Sequence, residues 1–291
     1  MRKHGLAINV IAGALALAFT FTAQAQNNRS FVATTGNDAN NCSASAYCRT
    51  FGRALAQTNS GGEIIVIDSG GYGPATIAQP VIITAIGIDA SITATSGDAL
   101  TINTTGNVTI TGLNLNGGGT ASVGVLITQV GVLRLNNMQV QSFLGGCVAF
   151  EATGNLAMED SKLNDCANGL FQSSGQVYAH NTEFDHNLVA GAVTFAGTMT
   201  IADSSAHYNG ASGFAAHGGT MTLFNVRAAF NTDGLDANSS ALYLADSLIS
   251  DNTNSYSTLP VGTMFGSSPG TSLITPGQSS SGSLGTAITL K

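Results

Sequence analysis

The sequence predicts an all-β chain wound as a right-handed parallel β-helix, a solenoid of three short strands per turn, with a capping helix at its N-terminal end. Three observations predict it. One unit recurs six times at nearly constant spacing, apolar residues alternate inside each unit, and Asn or Asp returns at two fixed places. The units read "GVLRLNNMQVQSF" from Gly131, "GNLAMEDSKLNDC" from Gly154, "GQVYAHNTEFDHN" from Gly175, "GTMTIADSSAHYN" from Gly197, "GTMTLFNVRAAFN" from Gly219 and "SALYLADSLISDN" from Ser240. Their starts are 23, 21, 22, 22 and 21 residues apart. A fixed period of this length marks a solenoid, in which no single unit can bury its own apolar side.

The chain begins with an address. Arg2 and Lys3 precede an uncharged apolar run from Leu6 to Phe21, and Ala23-Gln24-Ala25 supplies a small-x-small cleavage pattern. Residues 1–25 are therefore expected to be a signal peptide cut before Gln26, and the mature protein to be secreted or periplasmic. No later stretch is long and apolar enough to span a membrane. Residues 26–62 are expected to form a cap. Within it Thr50 to Thr58, "TFGRALAQT", reads as a short helix with Phe51 and Leu55 on one face, covering an open sheet edge.

The β-helix proper is expected over 63–253, opening on "GGEIIVID". In each unit the third and fifth positions are apolar, as in Leu133 and Leu135 or Met199 and Ile201. Period-two alternation is a strand with one buried face. The seventh position is Asn137, Asp160, Asn181, Asp203, Asn225 and Asp246, where an Asx side chain turns the chain. A second strand follows, with Val140, Leu163, Phe184, Ala206, Ala228 and Ile249 inward. Then comes the column Asn187, Asn209, Asn231 and Asn252, expected to take a left-handed corner conformation and to form a hydrogen-bonded ladder. A Gly soon after opens the third strand. Stacked turns lie about 4.8 Å apart, and right-handedness is the default for parallel crossovers. Residues 254–291, rich in Ser, Gly and Thr, are expected to be a C-terminal end or cap.

Composition limits function. Nine Lys+Arg face sixteen Asp+Glu, and residues 1–25 hold two of the cations and none of the acids, so the mature net charge is −9. No basic patch can neutralise phosphates, which excludes nucleic acid as a partner. Charged residues are 9% of the chain, against about 25% in ordinary globular proteins. The four cysteines suit an exported chain. Cys42 and Cys48 are expected to close a small loop, and Cys147 and Cys166 are a candidate pair on neighbouring turns. Neither spacing matches a zinc pattern, so no metal site is expected and no cofactor.

The stretch "FVATTGNDANNCSASAYCRTFGRALAQTNSGGEIIVIDSGGYGP" resembles the N-terminal cap of secreted β-helix proteins in the pectin-lyase-like superfamily. Its T-G-N-D turn, Cys42/Cys48 loop, R-T-F helix start and G-Y-G-P turn carry the resemblance, and the later repeats resemble the generic repeat of that group. The resemblance implies carbohydrate as the first partner to consider. It does not imply catalysis, because the fold hosts lyases, hydrolases, epimerases and members without known activity.

"NTDGLD", from Asn231 to Asp236, is similar to a polygalacturonase motif that would make Asp233 catalytic. Inverting hydrolysis needs an acid and a base with a water between them. The later paired-Asp, Gly-His-Gly and Arg-x-Lys parts of that pattern are missing after Asp236. The repeat alone also produces N-x-x-G, so Asp233 reads as a solvated corner residue.

The candidate ligand patch lies at the ninth and eleventh positions, outward on the second strand. Read down the stack, these give Lys162, Glu183, Asp185, His207 and Arg227 in a chain poor in charge. Cross-strand pairing is one account of them. The other is a sugar groove, with His207 tuned by Asp185 and Arg227 able to grip a carboxylate. Aromatic platforms for sugar looked sparse, since Tyr178 and Tyr243 are three rungs apart. The expected function is a secreted β-helix that contacts polysaccharide or a cell-surface glycan without strong catalytic activity. The alternatives are a polysaccharide lyase or glycoside hydrolase acting on an acidic glycan, and a purely structural surface solenoid.

Overall fold

The computed structural model describes residues 26–258, 263–266, 272–274 and 284–285. The signal peptide expected over 1–25 lies outside these residues, as does most of the Ser/Gly/Thr-rich segment. Among the described residues the strands build three parallel sheets of twelve, ten and nine strands. Each turn visits them in one order. Asn155–Glu159 lies in the first sheet, Lys162–Asn164 in the second and Asn168–Gln172 in the third. The register does not slip along the six units: Leu133, Leu156, Val177, Met199, Met221 and Leu242 stack in one column. All six are buried in one continuous core that runs the length of the stack. A one-residue slip would turn every one of them to solvent, so the alternation itself holds the register.

The cap contributes more than a cover. Asn27–Val32 pairs with Thr58–Val66 and forms the edge strand of the first sheet. The helix spans Phe51–Gln57, with the Thr50 hydroxyl accepting from Arg53 N at its start. Phe51, Ala54 and Leu55 are its buried side. Cys42 and Cys48 are disulfide-bonded and buried. At the other end Asn254–Thr258 pairs with Asp233–Ala237, so the third sheet continues past the change of composition at 254.

The first corner is a column of Asn137, Asp160, Asn181, Asp203, Asn225 and Asp246, with φ between 48° and 51°. Asn and Asp tolerate this left-handed geometry better than other residues with a Cβ. The column alternates amide and carboxylate without exception. Asn181 Nδ2 donates to Asp160 Oδ1, and Asn225 Nδ2 donates to Asp203 Oδ1. No two carboxylates are on adjacent rungs.

The second corner corrects the expectation for Asn187, Asn209, Asn231 and Asn252. The left-handed residue is the one before each of them: His186 (φ 55°), Tyr208 (φ 56°), Phe230 (φ 61°) and Asp251 (φ 58°). That residue turns outward and the Asn turns in. All four Asn side chains are buried. Asn187 Nδ2 donates to Asn209 Oδ1 (3.1 Å), Asn209 Nδ2 to Asn231 Oδ1 (2.9 Å) and Asn231 Nδ2 to Asn252 Oδ1 (3.0 Å). Each amide nitrogen also donates to a backbone carbonyl, such as Phe184 O or Ala206 O.

The Gly that follows makes room for this ladder. A Cβ on Gly191, Gly213 or Gly234 would stand 3.1, 2.9 or 2.7 Å from the amide nitrogen of Asn209, Asn231 or Asn252. At the top of the ladder both residue types are replaced, one rung apart: the turn above Asn187 keeps Gly169, and the next residue up in the Gly column is Cys147. Cys166 stands in the Asn column, its N–H donating to Asn187 Oδ1, and Cys147 stands in the Gly column. They are disulfide-bonded, with Cα atoms 5.5 Å apart. The amide ladder ends on a covalent rung.

Candidate functional site

The second-sheet strands place the predicted stripe as two columns. Gln139, Lys162, Glu183, Ser205 and Arg227 form one, and Gln141, Asn164, Asp185, His207 and Ala229 the other. Within them the charges meet each other. Lys162 Nζ lies 2.7 Å from Glu183 Oε2, and this contact raises the ammonium above its ordinary range. Asp185 Oδ1 accepts from His207 N at 3.0 Å and lies 3.3 Å from His207 Nδ1. Arg227 makes no ion pair among the described residues. It stands in an open groove of about 670 Å³ with Asp203, Asn225 and Asp246 around it. The groove therefore carries carboxylates as well as the guanidinium.

A row of rings borders this stripe, one residue further along each turn. His186 and Tyr208 stack at 5.0 Å, and Tyr208 and Phe230 at 4.9 Å with planes 8° apart. Tyr208 is 53% exposed and Phe230 46%. Bulky residues rarely adopt φ > 0. Here that conformation swings three rings outward on consecutive rungs, beside Asp185, His207 and Ala229. Sequence reading missed them because it followed the ninth and eleventh positions and not the twelfth.

Asp233 is not the solvated corner expected of it. It opens the third-sheet strand Asp233–Ala237, is half-buried, and accepts from Asn254 Nδ2 at 2.6 Å. Burial pushes its carboxyl upward, more than the Asn254 contact lowers it, and the nearby Asp236 charge adds to the rise. Asp236 is bonded instead to His217, Nε2 to Oδ2 at 2.7 Å. That pair had no sequence signal of its own. Among the described residues no three His, Cys, Asp or Glu side chains converge so as to hold a metal ion.

No family model matches the chain, and no curated protein does. A solved structure of pectate lyase Pel9A aligns with a TM-score of 0.62 at 14% identity, over 84% of this chain and 75% of that one. The chain shares the right-handed parallel β-helix fold of pectate lyases. At this identity the likeness shows the fold and fixes no residue's role. A structure of a rhamnogalacturonan lyase aligns with a TM-score of 0.45 at 11% identity, over 82% of this chain and 73% of that one.

Proposed function

We propose that the protein is an exported β-helix that contacts polysaccharide, or the glycan of a cell surface, along the second-sheet stripe, as a binding protein and not a strong catalyst. The observation that carries this reading is the ridge of His186, Tyr208 and Phe230 beside the polar columns. Stacked rings cover one another's faces and leave their edges as an apolar ridge. Next to it run hydrogen-bonding groups at rung spacing, about 4.8 Å. A linear polymer with apolar and hydroxylated edges fits such a track. Two disulfides suit a chain that works outside the cytosol. The test is retention of the mature chain on a panel of immobilised neutral and acidic polysaccharides. Retention is expected, lowered by Tyr208→Ala and by Arg227→Ala, and unchanged by Asp233→Asn. A chain that passes every column unretained is a purely structural solenoid.

A second reading is slow turnover of the same polymer. Two carboxylates on one strand in different surroundings favour it, Asp233 raised by burial and Asp236 held to His217. Assays for new reducing ends or unsaturated products decide it. Turnover abolished by Asp233→Asn would replace the binding reading with a hydrolytic one.

A further inference from the structure

The outer face of the third sheet carries a separate cluster, around the Asn corner from the stripe. Parallel pairing stacks Phe171, Val193, Ala215 and Asp236 in one outward column. Phe195 and His217 stand two residues beyond Val193 and Ala215, on adjacent rungs, with Phe195 N donating to Gln172 O and His217 N to Thr194 O. The side chains link diagonally. Phe171 and Phe195 have ring centroids 5.4 Å apart, Phe195 and His217 meet edge-on at 5.4 Å, and His217 reaches Asp236 at 2.7 Å. One line of contact thus runs over four successive rungs.

The line has an apolar end and a polar end. Ala190, Val193 and Ala215 form a buried floor against which Phe171 packs. Phe195 rests beside it and is 47% exposed. At the other end Asp236 Oδ2 is engaged by His217, which leaves Oδ1 to accept from a ligand hydroxyl. The second imidazole nitrogen accepts or donates according to protonation. Between Lys162 and Arg227 the sequence contains no Lys or Arg. Among the described residues the third-sheet strands carry no Lys or Arg, so the imidazole is the cation beside these strands, and the Asp236 carboxylate repels a uronate or a sulfate. An aromatic ring beside hydrogen-bonding groups, in a charge-compensated setting, is suited to an uncharged sugar with an apolar C–H face.

We propose that Phe195, His217 and Asp236 form a second glycan-binding site, for a neutral hexopyranosyl unit, on the outer face of the third sheet. It uses none of the residues of the stripe. The test is isothermal titration of the mature chain with soluble neutral gluco- and manno-oligosaccharides, with oligogalacturonate as the charged comparison. A neutral oligosaccharide is expected to bind and to shift the His217 ring signals in NMR spectra. Phe195→Ala is expected to weaken binding about three- to ten-fold, the worth of one ring contact. Phe195→Tyr retains binding, and Asp236→Asn weakens it, with circular dichroism and melting temperature showing the fold intact. The proposal is overturned if wild type and Phe195→Ala bind alike, if oligogalacturonate alone binds, or if no neutral oligosaccharide binds. The stripe reading fails separately, if retention on the immobilised panel is indifferent to both Tyr208→Ala and Arg227→Ala while Phe195→Ala lowers it.

Discussion

The Asn209 side chain takes part in four hydrogen bonds. It donates to Phe184 O and Asn231 Oδ1, and accepts from the backbone and side-chain nitrogens of Asn187. Leucine at this place satisfies none of them and leaves several buried groups unpaired, each costing about 1–3 kcal/mol. Asn209→Leu should lower the denaturation midpoint markedly, and an unshifted midpoint would contradict the ladder. At His217 the effect depends on pH. The hydrogen bond to Asp236 raises the imidazole above its ordinary 6.5, against the smaller opposing effect of burial. A base with a raised folded-state pKa contributes stability that is fully present below 6.5 and is lost as pH rises through the folded value. The melting temperature should fall from pH 5.5 to pH 8 by more in wild type than in Asp236→Asn. Parallel curves would remove this pair from the account of stability.

At the scale of one turn, the sequence writes an exchange rule. Each of the four ladder Asn residues packs against the Gly of the turn above it, and Cys166 meets Cys147 in the same diagonal relation. The disulfide closes a segment of 19 residues, which gives about 3 kcal/mol in the chain-entropy model. Replacing both cysteines by Ala should forfeit much of that. Cys147→Gly combined with Cys166→Asn should recover part of it by lengthening the amide ladder, and urea titrations would compare the three chains. A double variant no more stable than the Ala pair would show that the two fillings are not equivalent. This pairing also shows where the sequence is legible. First-sheet strands and the Asx corner were readable because alternation of period two and a turn-forming side chain recur at constant offsets. At the second corner spacing alone did not separate the left-handed residue from its buried neighbour, and the ladder and the aromatic ridge became confused there. The third sheet was hardest. Its strands follow a corner of variable length, four residues from Asn187 to Gly191 but three from Asn231 to Gly234, so Asp236 stands five residues after its Asn while Val193 and Ala215, which it stacks with, stand six after theirs.

Over the whole molecule, the proposed export has a direct check: N-terminal sequencing of exported protein should find a start at or near Gln26. Retention of Met1 there would refute cleavage. The stack also has a parity. Because amide and carboxylate alternate at the first corner, the structural period is two turns, although the sequence period is one. Excising residues 219–239, one unit containing Asn225, would set Asp203 directly against Asp246, and the shortened chain should gain stability from added salt or from a pH near 4. Excising 197–239, two units, would leave Asn181 against Asp246 and preserve the alternation, and should need neither. A β-helix of this kind is thus expected to lose a carboxylate-bearing turn alone but an amide-bearing turn only together with a neighbour, as a charge-ordered lattice in which like-charged layers repel.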